Sequence, residues 1–109
     1  MDYQHKNLAQ GRWKELSFFE QAANIGSEVE RAIKWRDKNS SYSQAAFERA
    51  LELLDLTTDD EKNRSRLKEL LRLREVLADY FQFKNIYGSN DQKWHNYFYA
   101  FNYAARIGA

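Results

Sequence analysis

A Ser or Thr followed three residues later by Glu or Gln stands four times ahead of a helically periodic stretch in this 109-residue chain. The pairs are Ser17 with Glu20, Ser41 with Gln44, Thr58 with Glu61, and Ser89 with Gln92. The first four N–H groups of a helix have no partner inside it. In such a pair the hydroxyl accepts from one of them, and the later side chain reaches back to the N–H of the cap. Four starts of this kind, each followed by apolar residues at period 3.6, predict four helices.

The scarcity of helix breakers agrees. Proline is absent and there are four glycines, where average usage would give roughly five and seven or eight. The first helix is expected over about Phe18 to Lys38, with Phe18, Ala22, Ile25, Val29, Ala32, Ile33 and Arg36 on one stripe. Gly26 lies beside that stripe and costs about 1 kcal/mol against alanine, which suggests close approach of a neighbour. The second helix is expected over about Tyr42 to Leu56, built on Ala46, Phe47, Ala50, Leu51, Leu53 and Leu54. The third should span about Asp59 to Phe83, with Leu67, Leu70, Leu71, Leu77, Ala78 and Phe81 inward. The fourth should span about Asn90 to Arg106, with Trp94, Tyr97, Phe98, Phe101 and Ala105 inward.

Short connections between helices favour antiparallel neighbours. The expected fold is therefore all-α, an antiparallel up-down four-helix bundle over residues 17–109. Residues 1–16 are expected to form an N-terminal arm or short extra helix, with Trp13 and Leu16 packed on the bundle.

Composition removes several classes of function. There is no cysteine, so disulfides, thiolate metal sites and a cysteine nucleophile are excluded, and a cytoplasmic location is the default. No apolar run approaches the roughly 20 residues that span a membrane. Seventeen basic and 16 acidic residues leave a net charge of +1, without the basic excess expected of a nucleic-acid binder. The two histidines, His5 and His95, lie at opposite ends of the chain. No set of metal ligands, catalytic triad or glycine-rich phosphate loop can be assembled, so no catalytic residue, metal or cofactor is assigned.

Three features stand out against that background. Arg74 falls within the apolar stripe of the third helix. A guanidinium keeps its charge and is costly to bury alone, so it needs a carboxylate, with Glu28, Glu52 and Asp55 as candidates, or a polar ligand. Second, His95, Tyr99, Tyr103 and Arg106 share a side of the last helix away from its apolar stripe. Aromatic residues make up 16% of the chain, and rings with polar tips suit an interface. Third, Glu48, Glu52 and Asp55 on one helix, and Glu75 and Asp79 on the next, are read as solvated charged faces.

Glu52-x-x-Asp55 is similar to one acidic element of the all-α nucleotide pyrophosphatases, but a second element is missing. In size and helical organisation the chain also resembles small helical domains of prokaryotic toxin–antitoxin systems. The Arg that precedes His by four to six residues in the ribonuclease versions has no counterpart before His5 or His95.

The function expected from these residues is a non-enzymatic helical bundle acting through protein–protein contact, self-association included. One alternative is a nucleotide- or metal-binding enzyme using Arg74 with acids of the second and third helices. Another is an RNA- or DNA-binding module using Lys62, Arg64, Arg66, Lys68 and Arg72.

Overall fold

A computed structural model describes residues 11–107; the expected arm therefore lies largely outside the described residues. Every regular element among them is helical. They are α1 (Trp13–Glu15), α2 (Phe18–Trp35), α3 (Ser40–Asp59), a 3-10 turn (Glu61–Arg66), α4 (Leu67–Gln82) and α5 (Asp91–Arg106). No helix among them is long and apolar enough to cross a membrane.

Of the four expected caps, only the first forms as read. Ser17 Oγ accepts from Glu20 N at 3.1 Å, and Glu20 accepts from Ser17 N at 2.9 Å. The other three starts belong to Asn or Asp, which cap as well as Ser. Asn39 accepts from Tyr42 N, so α3 begins before Ser41. Asn90, next to Ser89, accepts from Lys93 N. Thr58 is not a cap at all. The hydroxyls of Thr57 and Thr58 donate back to the carbonyls of Leu53 and Leu54 inside α3. This back-bonding occupies both hydroxyls, so the helix runs on and Asp60 caps the 3-10 turn through Lys62 N. The expected third helix is thereby split into that turn and α4.

α2 is the central element and packs on both α3 and α5; α3 also meets α4 and the 3-10 turn. Its stripe of Phe18, Ala22, Ile25, Val29 and Ala32 is buried against Ala46, Phe47, Ala50, Leu53 and Leu54 of α3 and Trp94 and Phe98 of α5 in one core. In α4 the inward face is Leu70, Leu73 and Leu77, whereas Leu67 and Leu71 are exposed. Leucines at 67, 70, 71, 73 and 77 allow two overlapping stripes. The stripe that faces α3 is rotated from the expected one, and this moves Arg74 to the flank.

Gly26 marks a tight helix crossing. A Cβ placed there would stand 2.8 Å from the Cβ of Phe98. Only glycine lets α5 seat its Phe98 against the α2 backbone.

The chain end of the core is organised around a buried amide. Gln21, with no exposed surface, donates to Trp13 O at 3.0 Å and Asp60 Oδ2 at 2.9 Å. Its oxygen accepts from Asn63 Nδ2 at 2.8 Å, and the same Asn63 amide donates to Thr57 O at 2.9 Å. The Trp13 indole donates to Thr57 Oγ1 at 3.1 Å. Lys62 Nζ bridges Asp60 Oδ2 and the carbonyl of Lys14. These bonds tie α1, α2, the end of α3 and the 3-10 turn together. Unpaired groups at this depth would each cost about 1–3 kcal/mol.

Burial alone would raise the Asp60 carboxyl, but hydrogen bonds from Lys62 and Gln21 outweigh it and hold the group below the usual carboxylate value. A lowered folded pKa stabilises the fold above the unfolded value of about 3.9 and loses that contribution as pH falls through the folded one. Asp60→Asn should therefore cost about 2 kcal/mol at neutral pH and leave a shallower loss of stability in acid. Urea denaturation at neutral and acidic pH reads both; equal loss at both pH values would contradict the role of the charge. Separately, Gly26→Ala gains about 1 kcal/mol of helix propensity but overpacks Phe98. A net loss of about 1–3 kcal/mol is expected in the same assay, and a gain would contradict the tight seam.

Candidate functional site

The residues named from sequence do not converge on one centre. Arg74 on α4 meets Asp55 on α3 side-on: Nε donates to Oδ1 at 2.9 Å and an NH2 group to Oδ2 at 3.4 Å. Both side chains keep roughly two-fifths of their surface, 43% and 41%. The bridge thus sits on the flank, where such a pair is worth about 1 kcal/mol or less. Glu28 is buried elsewhere, on α2, between Arg31 at 2.7 Å and Arg49 at 3.1 Å. Glu52 is buried on α3. Among the described residues, no three His, Cys, Asp or Glu side chains stand close enough to hold a metal ion.

The acidic pair on α4 divides in two. Glu75 is exposed, as a solvated face requires. Asp79 is buried and accepts from the backbone N–H groups of Ile86 and Tyr87 at 3.0 and 3.1 Å. The α4–α5 loop is thus folded back on its own helix. Asn85, at φ 57°, closes it by exchanging hydrogen bonds with Ser89, and Gly88 takes φ 67° at little cost. A loop held this way presents Phe83 and Ile86 to solvent.

Two of the basic residues read as a possible phosphate surface have internal work. Lys62 holds Asp60. Arg66 lies 4.0 Å over the ring of Phe18, with Glu69 at 3.9 Å.

The last helix has three distinct sides. One is buried through Trp94 and Phe98, extended by Tyr97 and Phe101 into a run of edge-to-face and stacked rings. The second carries the expected strip. Tyr99 and Tyr103 are exposed one turn apart, Ile107 continues the line, and Arg106 is exposed beside it. His95 is half-buried, its Nδ1 2.5 Å from Glu30 Oε1 on α2.

The third side faces α4 across an open groove of about 310 Å³. Leu73 and Val76 of α4 and Trp94 and Tyr97 of α5 make its walls, with Arg72 and Lys93 at the rim. Burial pushes the Tyr97 phenol up to about 12, with nearby Glu69 adding to the effect and Arg66 opposing it.

Sequence reasoning passed over one polar cluster where three helix ends meet. The Tyr80 hydroxyl of α4 donates to Asp91 Oδ1 in the first turn of α5. Arg36, just past α2, donates to Asp91 Oδ2 at 2.8 Å and approaches the Tyr80 hydroxyl at 3.4 Å. Burial acts to raise the Asp91 carboxyl, but these donors outweigh it and lower the pKa. The acid in the first turn was the only local signal; its partners lie 11 and 55 residues away. The cluster clamps the loop end of α5 to α2 and α4.

No protein-family model matches the chain, and neither a curated protein nor a solved structure matches it, so the functional reading rests on these surfaces.

Proposed function

We propose that α2 to α5 form an antiparallel up-and-down four-helix bundle, with the N-terminal residues as an arm, that acts through protein–protein contact. The partner proposed is a second copy of the same chain, bound through the outer strip of α5. The observation that carries the reading is the exposure of Tyr99 at 68% and Tyr103 at 52%, one turn apart, continued by Ile107 at 62%. Aromatic and long apolar side chains aligned on one helix face bring large contact area at low entropic cost.

Charge selects a second copy over an arbitrary partner. Glu30 stands at the His95 end of the strip, and Arg106 stands at the other. In a two-fold contact each surface meets itself reversed. Two α5 helices laid antiparallel would bring Arg106 of each copy toward Glu30 of the other, with Tyr99 opposite Tyr103 between them.

Light scattering on a sizing column is expected to give a dimer at high micromolar concentration. Tyr99→Ser with Tyr103→Ser should give a monomer whose helical circular dichroism is unchanged. Arg106→Glu should weaken the dimer, and adding Glu30→Arg should recover it. A wild-type monomer throughout the range would overturn the proposal.

A further inference from the structure

The groove between α4 and α5 lies on the far side of α5 from the Tyr99–Tyr103 strip, and it has the makings of a small-molecule site. Its volume of about 310 Å³ falls at the lower end of the range for such sites. That room suits one or two fused rings and little more. The walls are apolar or aromatic: Leu73 and Val76 face Trp94 and Tyr97.

Charge says what the occupant carries besides rings. Lys93 donates to the Gly88 carbonyl and Arg72 lies over the Tyr87 ring, so both cations at the rim are in contact with neutral groups. No carboxylate stands within salt-bridge distance of either among the described residues. Glu69, the acid on the same rim, already has Arg66 at 3.9 Å. The groove lining thus carries two cations, Arg72 and Lys93, against one acid, Glu69.

From the apolar walls and the cationic rim, we infer that the groove binds a small aromatic carboxylate. The ring system lies between Leu73 and Trp94, and the carboxylate is held at the rim by Lys93 and Arg72. Tyr97 stays neutral at physiological pH, since burial raises its phenol, and so does not repel the anion. The site is separate from the proposed dimer surface, and its occupancy does not require dimerisation.

The probe is 2-naphthoate, titrated into uniformly 15N-labelled protein. The three tryptophans each give one indole N–H signal, and Trp94→Phe assigns the one of interest. Saturable movement of the Trp94 signal is expected, with a Kd below about 1 mM. Lys93→Glu with Arg72→Glu alters only exposed side chains and should weaken binding about tenfold or more. Uncharged 2-naphthalenemethanol should bind more weakly by a similar factor. Val76→Trp, which fills the groove from α4, should abolish the shift. No movement of the Trp94 signal at millimolar probe would overturn the inference. So would undiminished affinity in the double charge reversal, since the groove would then be taking rings without regard to the anion.

Discussion

The approach of Phe98 to the bare backbone at Gly26 decides what the rest of α5 can do. It sets the last helix directly on α2, at a distance no other residue at position 26 would permit. A helix seated that deeply on one neighbour turns its two remaining sides away from the core. One becomes the tyrosine strip, and the other faces α4 across a gap. The Arg36–Tyr80–Asp91 cluster fixes the loop end of α5 by hydrogen bonds and charge, at the border between protein and water. Tight packing in the middle and a polar clamp at one end hold the helix in place while much of its surface stays unused by the fold.

The opposite corner of the molecule is held by different means. Around Gln21 the chain buries two amides, a carboxylate and a threonine hydroxyl, and nearly every donor finds an acceptor. Directional bonds of this sort add little net energy when complete and cost much when broken. They act chiefly on geometry: α1 and the 3-10 turn can sit on α2 in only one register. Asp79 does the same for the α4–α5 loop, where a single buried carboxylate gathers two backbone N–H groups.

Much of the helical content was legible in the sequence because apolar periodicity and the lack of breakers are local signals. The core faces of α3 and α5 could be read off directly, and so could that of α2 up to Ile33, with the glycine at the helix crossing; Arg36, expected on the same stripe, lies exposed just past the helix end. Cap identity was less legible. Asn39, Asp60 and Asn90 compete on equal terms with nearby Ser and Thr, and the winner is set by where the helix axis must start. The leucine-rich start of α4 offered two stripes, and only contact with α3 chooses between them; Arg74 looked central for that reason. The candidate site followed the same division. Exposed Tyr99 and Tyr103 are visible as a second helical face. The Asp91 cluster, the loop anchor at Asp79 and the groove beside Trp94 depend on residues far apart in the chain, and no local pattern announces them.

The absence of cysteine permits a direct measurement of the proposed α5–α5 contact. Tyr99→Cys and Tyr103→Cys proteins, prepared separately, are mixed in equal amounts and oxidised mildly. Antiparallel pairing predicts that the mixed disulfide between the two variants forms faster and in greater yield than either homodimer. Cross-links confined to like with like, or no faster than those of a cysteine placed at exposed Lys34 on α2, would contradict it.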